Sequence, residues 1–487
     1  MSDNNSFRSI AKANAIFGGV TVYNILISIA QSKIVAILLG PVGYGLMGLF
    51  NSTLDLIASL TNCGLSNSAV RDISEANSTG NIDKVTRTHS ILSKLVWLTG
   101  TFGLLLTLIL APWLSEWTFG DKSYTYAFYI LSIVLLIRQL SVKYAVVLQG
   151  MRKHKLLAKT SVWGKTLSFL AIIPIYYFFG VSGVVPAIIV MAIVLMLVQY
   201  RGFKMLGLHT EKLSIKDSFI QGKPMIVLGI MLSITGIMDM IVIYLLKAGI
   251  QQMSSLREVG LFTSGFGMVT TYVGLVFSSI STDYFPRLTS VAHDKQQFND
   301  VINKQYQLMI LVLTPLVLAL IEFMPFVIKV LYTEEFIEAS SMMKWMALGM
   351  ILRAFSWGVG LMFLAKGDSK AYLILYLFNF VFEIVLYYFG YTLGGLLGVG
   401  IAFFLFYVYS DISTLIVTYK LYGCKYSKIS YLMTTISVIA ALIVLLLSFK
   451  SGSSKYVYMT IILIGVSVFS FFKLKTFLNI KFGSFFK

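Results

Sequence analysis

The chain has 487 residues, 57% of them hydrophobic and only 12% charged, with a formal net charge of +18. A soluble domain carries about 25% charged residues, so an ordinary cytosolic enzyme is excluded, and the mean hydropathy of +0.82 agrees. The Lys and Arg are spread over short loops without a run, so the basic balance is read as membrane topology rather than as a nucleic-acid surface.

Apolar blocks of about twenty residues recur from end to end, the length that crosses ~30 Å of hydrocarbon at 1.5 Å per residue. Windows of about nineteen residues predict fourteen spans, and the first six lie near 14–38, 43–68, 90–113, 127–149, 161–179 and 182–202. The next six lie near 224–247, 259–282, 305–328, 342–365, 371–391 and 395–419, and the last two near 431–449 and 456–473. Residues 14–38 are too long for a signal-peptide core and lack a small-x-small cleavage site. They are expected to remain as the first helix.

With a cytoplasmic N-terminus, 26 Lys and Arg fall on the cytoplasmic side and six on the other, namely Lys122, Lys247, Arg257, Lys329, Lys450 and Lys455. Positive residues hold short loops in the cytoplasm, and an even number of spans puts both termini there. A shift of 217 residues lays Val42-Gly43-Tyr44-Gly45 over Val259-Gly260-Leu261-Phe262, Gln149-Gly150 over Lys366-Gly367, and Gly183 over Gly400. Six spans per repeat make the two halves parallel repeats, related by a pseudo-two-fold axis along the membrane normal. The expected fold is therefore an all-α polytopic membrane protein. Residues 1–217 form one six-helix lobe and 218–430 another, while 431–487 supply an extra helix pair and a cytoplasmic tail.

No phosphate-cradling G-x-x-x-x-G-K-[ST] is present, and no zinc spacing. Cys63 and Cys424 match no metal or redox pattern, and His89, His154, His209 and His293 all fall in or beside cytoplasmic loops with no nucleophile. Neither a catalytic residue, a metal nor a cofactor is expected. The informative residues are the ionisable ones inside spans, because a charge at the bilayer centre costs at least ~2.5–3.5 kcal/mol and normally faces a wet cavity or a partner. The bases are Lys33, Lys94, Arg138, Lys143, Lys165, Lys344 and Arg353, and the acids Asp55, Asp239, Glu322, Glu383 and Asp411. Lys94 and Lys344 sit near helix ends and can snorkel, and Asp411 reads as an interfacial helix-end residue. The remaining bases either tie helices to acids or line a shared electropositive chamber that gathers an anionic head group. A lipid diphosphate fits such a chamber, since Arg and Lys are the usual phosphate ligands. Pro174, Pro186, Pro315 and Pro325 predict kinks, Pro224 opens span 7, and Gly394 and Gly398 form a G-x-x-x-G spacing for close helix approach.

The run from Lys33 to Leu46, Lys-Ile-Val-Ala-Ile-Leu-Leu-Gly-Pro-Val-Gly-Tyr-Gly-Leu, resembles the K-x-x-A-x-x-x-G-P-x-G-x-G-L segment of bacterial O-antigen and enterobacterial common antigen flippases. Glu258-Val259-Gly260, Tyr284-Phe285-Pro286-Arg287-Leu288 and Leu364-Ala365-Lys366-Gly367 extend the likeness over about residues 10 to 420. That family shares a superfamily with multidrug and toxic-compound extruders. The resemblance implies a flippase of a bacterial inner membrane that moves an undecaprenyl-diphosphate-linked oligosaccharide from the cytoplasmic to the periplasmic leaflet. It also implies membrane lipids as surroundings, and a glycan polymerase and a chain-length regulator as partners. Lys33 matches the family lysine, and Arg353, thirteen residues before Lys366, falls where a basic residue recurs; Arg138 and Lys143 match no family position. Head-group contact is thus expected at Lys33, Arg353, Arg138, Lys143 and Lys165, and coupling to an H+ or Na+ gradient at Asp55, Asp239 or Glu383. A drug-cation antiporter on the same fold, a flippase for another glycan precursor such as enterobacterial common antigen or lipid II, and a non-transporting scaffold are the alternatives.

Overall fold

The computed structural model describes the backbone of residues 2–477 and the side chains of 18–280 and 284–477. The expected cytoplasmic tail beyond residue 477, with Lys481 and Lys487, and the side chains of Arg8 and Lys12 lie outside the described residues. Among the described residues, fourteen α-helices follow one another with short connections. They are α1 (Ser2–Asn62), α2 (Leu65–Ser78), α3 (Ile82–Phe119), α4 (Thr125–Gly150), α5 (His154–Phe179), α6 (Val184–Lys204) and α7 (Ile215–Met253). The second series is α8 (Leu256–Ser290), α9 (Lys295–Glu322), α10 (Met324–Leu331), α11 (Ser340–Ala365), α12 (Ser369–Tyr422), α13 (Lys428–Ser448) and α14 (Ser454–Phe477).

Among the described residues, eleven helical stretches are long and apolar enough to cross a membrane. Three of them, Gly18–Asn62, His154–Lys204 and Ser369–Tyr422, run 45, 51 and 54 residues, more than twice the ~20 that one crossing takes. Each carries a left-handed glycine at its middle: Gly40 (φ 60°), Gly180 (φ 52°) and Gly395 (φ 56°). Glycine alone enters that region without a Cβ penalty, so each stretch folds back as two crossings, and the fourteen expected spans are recovered. Pro224, expected to open its span, stands inside α7, nine residues after the helix starts. The G-x-x-x-G spacing serves close backbone approach at one of its two glycines. Gly394 has open space around it, Gly395 makes the turn, and a Cβ on Gly398 would lie 1.8 Å from the Gly390 carbonyl oxygen across the hairpin.

The internal repeat has a register of 215, not the 217 that identity matching suggests. The helix ends at α4 and α11 carry one hydrogen-bond pattern: Met151, Arg152 and Lys153 amides donate to Val147, Gln149 and Leu148, and Lys366, Gly367 and Asp368 amides to Met362, Leu364 and Phe363. Gly180 (ψ −132°) and Gly395 (ψ −142°) match in the same register, as do the close approaches of Gly183 to Ile175 and of Gly398 to Gly390. The misalignment has a plain cause. The left-handed position is occupied by Arg152 (φ 55°) in the first half and Gly367 (φ 73°) in the second, so aligning glycine on glycine shifts the register by two.

The contacts divide the chain into two compact units. One holds residues 1–260 with Leu331–Thr333, and the other 261–330 with 334–487. In the first, the glycines of the Lys33–Leu46 motif allow backbone-to-backbone packing. A Cβ on Gly45 would meet the Leu256 carbonyl oxygen at 2.0 Å, and one on Gly260 the Pro41 carbonyl oxygen at 1.8 Å. In the second, α13 and α14 are fastened to α9 by a ladder of polar side chains. Its rungs are Gln307 to Ser430 at 3.0 Å, Tyr306 to Thr434 at 2.6 Å, Thr314 to Ser437 at 2.9 Å and Glu322 to Thr460 at 2.6 Å.

Candidate functional site

In the first unit, α4 and the second half of α1 run side by side and bring polar groups together inside an apolar bundle. Arg138 of α4 donates from Nη1 to Asp55 Oδ1 at 2.7 Å and from Nη2 to Asn51 Oδ1 at 2.7 Å. Asn51 and Asp55 are four residues apart on one helix face, which lets one guanidinium reach both. The paired side chains are partly accessible, 29% and 53% exposed. A third member is Lys247 of α7, buried, with Nζ 3.3 Å from the Gly48 carbonyl oxygen and within electrostatic reach of Asp55. Its place corrects the expectation of an outer loop there; α7 continues to Met253 and keeps Lys247 within the helix. Its position on the last residue of a hydropathy window was the only signal in the sequence.

The other first-unit bases are spread along neighbouring helices. Lys33 donates to the Tyr332 carbonyl, and Tyr332 packs edge-on against Tyr44 with ring centroids 5.8 Å apart. Lys165 of α5 reaches α1, bonding the Asn24 carbonyl at 2.7 Å and Ser28 Oγ at 2.5 Å. Lys143 is buried on α4, 3.3 Å from Ser93 Oγ and 4.4 Å from the centroid of the Tyr144 ring. Asp239 lies on an exposed face of α7.

In the second unit, Arg353 of α11 sits among aromatic rings, its guanidinium carbon 5.8 Å from the Phe277 centroid and 5.9 Å from that of Tyr407. Tyr387 of α12 is buried beside it and hydrogen-bonds Glu383 on the same helix face. Asp411, read as an interfacial helix-end residue, is instead buried on α12 and accepts the Ser356 amide at 3.2 Å. Position along a helix does not reveal which face a residue takes. Two motif residues have structural uses in this unit. Tyr284 donates to the Gly358 carbonyl at 3.1 Å, and Lys366 Nζ reaches the Ala292 carbonyl past the C-terminus of α8, where a cation meets the negative end of the helix. A cavity of about 580 Å³ between α4 and α6, lined by Tyr126, Ile130, Pro186 and Ile189 among others, holds no charged side chain.

The 215 register relates these two units through one pair: Arg138 and Arg353 occupy the same repeat position. No other base expected to meet the head group, Lys33, Lys143 or Lys165, has a basic counterpart at 215 residues' distance.

The fold matches solved transporters at low identity. An inward-facing multidrug resistance MATE family transporter of the MOP superfamily aligns with a TM-score of 0.66 at 16% identity, covering 87% of this chain and 95% of the other. The lipid II flippase MurJ, in an inward closed conformation, aligns with a TM-score of 0.68 at 14% identity over 96% of this chain and all of MurJ. The MATE multidrug transporter DinF-BH gives 0.60 at 17% over 85% and 95%. No curated protein matches the sequence. The model of one family covers residues 34–341. This multi-pass membrane protein therefore belongs to the polysaccharide biosynthesis protein family.

Proposed function

We propose that the protein is a flippase that carries a lipid-linked oligosaccharide, with its diphosphate head, from the cytoplasmic to the periplasmic leaflet of a bacterial inner membrane by alternating access. The observation that supports this most is the repeat-related pair Arg138 and Arg353, each inside a transmembrane helix of a chain from the polysaccharide biosynthesis family. A guanidinium presents a planar fork that matches phosphate oxygens, and each repeat supplies one. Lys33, Lys143 and Lys165 are assigned to the same anionic substrate, with Lys247 added from the geometry.

Asp55 supplies a means of coupling. It shares Arg138 with any phosphate that arrives there, so head-group binding displaces the carboxylate, and the freed carboxylate takes a proton or a Na+ ion. Asp239 and Glu383 are further candidates for that role. Undecaprenyl diphosphate as the carrier, the glycan polymerase and chain-length regulator as partners, and cytoplasmic termini belong to the same reading.

Deleting the gene tests it. Lipid-linked sugar is expected to accumulate and surface glycan to disappear, and the sugar that accumulates identifies the substrate among O-antigen, enterobacterial common antigen and lipid II precursors. Lys33→Ala and Arg353→Ala at matched protein levels should fail to restore display. Drug hypersensitivity of an efflux-deleted host with normal glycan display would instead favour a drug-cation antiporter, a reading that Arg353 opposes by repelling cations.

A further inference from the structure

Asp411 lies in the second unit and is 9% exposed. It accepts the Ser356 amide of α11 at 3.2 Å, and the Ser356 hydroxyl, which donates to the Arg353 carbonyl at 3.4 Å, lies near it. No Lys, Arg or His among the described residues forms an ion pair with it. The carboxyl opens on a cavity of about 100 Å³ bounded by Tyr306 of α9, Phe355 of α11, Tyr426, and Tyr431 and Thr434 of α13. The walls are mostly ring faces, with Phe355 and Tyr426 centroids 4.3 Å apart and Phe355 and Tyr306 5.2 Å apart.

A carboxylate buried without a cation neutralises by taking a proton. A metal cation would call for several oxygen ligands at once. Three of the nearby hydroxyls are committed elsewhere, Tyr306 and Thr434 to each other at 2.6 Å and Ser430 to Asn303 at 2.8 Å. The titratable groups facing the pocket from each packed element are Tyr306 on α9, Tyr426 in the segment between α12 and α13, and Tyr431 on α13, with Cys424 behind them as an electrostatic neighbour of Tyr426. On α11, Arg353 stands one turn before Ser356 and is directed at Phe277 and Tyr407. Phenols and thiols are ordinarily neutral at pH 7 and guanidinium is always charged, so Asp411 is the group whose charge changes. The volume admits roughly three waters at about 30 Å³ each, so ionisation can be answered by hydration.

We propose that Asp411 is a proton-binding site at the seam of α9, α11, α12 and α13. With the proton bound, the neutral acid lets the rings close around it. With the proton released to water, the carboxylate draws water in and loosens α13 from α9. This proton site stands whatever the transported head group proves to be.

Infrared difference spectra of the full chain in lipid nanodiscs, recorded against pH, test it. The wild type should show a carboxylic-acid carbonyl band at neutral pH that shifts in heavy water and disappears as pH rises. Asp411→Asn should remove that band, while Asp55→Asn, Glu322→Gln and Glu383→Gln keep it. Hydrogen exchange of α13 should rise with pH in the wild type and stay low in Asp411→Asn. If that variant fails to elute as a single species, Ser356→Ala serves in its place and should shift the band. Absence of the band in the wild type, its survival in Asp411→Asn, or an unshifted band in Ser356→Ala overturns the proposal. So does a Na+-dependent rise in melting temperature that Asp411→Asn abolishes, which would make the pocket a metal-cation site.

Discussion

Arg138 and Arg353 stand at one position of an internal repeat, and their surroundings differ. Arg138 is held by an acid and an amide on a neighbouring helix, with both charged side chains partly accessible. Arg353 is set among Phe277, Tyr407 and Tyr387, where ring faces attract its charge and Tyr387 hydrogen-bonds Glu383. The first arrangement can exchange its carboxylate for another anion. The second sets a guanidinium among ring faces. Duplication thus kept the cation and diversified its partners, as expected if the positive charge itself is what function needs.

The two halves should differ most at the hairpin turns that shape them. Gly398→Ala puts a Cβ 1.8 Å from the Gly390 carbonyl oxygen, whereas Gly183→Ala puts one 2.9 Å from that of Ile175. The former should abolish the folded species in fluorescence-detected size-exclusion chromatography. The latter should cost about 1–3 kcal/mol, as overpacking usually does, visible as a lowered melting temperature.

At the arginines, Arg353→Lys is expected to lower transport at least tenfold, as read by surface glycan display, because an ammonium loses the planar stacking. Arg138→Lys can still meet Asp55 and should fall by only a few-fold. Asp55→Asn keeps a hydrogen-bond acceptor for Arg138 and should lower the melting temperature only slightly; a large loss would make the pair a structural tie.

Smaller effects separate the two left-handed helix ends. Arg152→Gly should raise stability by about 1 kcal/mol by removing a Cβ from a left-handed residue, and Gly367→Arg should lower it similarly. Smallest is the thiol. Burial pushes Cys424 up to about 11 against the opposing pull of Lys366 and Lys295. A thiol held that high stays protonated near neutral pH, and the thiolate is the nucleophile, so maleimide labelling should be slow and should quicken as pH rises.

The spans were legible because hydrocarbon thickness sets a length that composition alone reveals, even where Gly40, Gly180 and Gly395 fold two crossings into one continuous helical run. The repeat was legible in outline, and its register was off by two because Arg152 adopts a conformation that residue identity associates with glycine. Lys247 was hidden by lying at the end of an apolar window, where a lysine reads as a loop residue. Asp411 was hidden because depth along a helix says nothing about which neighbours a face meets; Tyr306 and Thr434 come from helices distant in sequence. The equivalence of Arg138 and Arg353 could be reached only after local backbone geometry had fixed the register.

The most direct test is translocation of a fluorescent polyprenyl-diphosphate oligosaccharide in proteoliposomes, comparing the wild type with Arg138→Ala, Arg353→Ala and the double variant at equal reconstitution. If the paired guanidiniums carry the head group, the wild type exchanges it between leaflets, each single variant loses most of that activity, and the double variant does no better than protein-free vesicles. Wild-type rates in the double variant, or no exchange by the wild type, would refute that role for the pair.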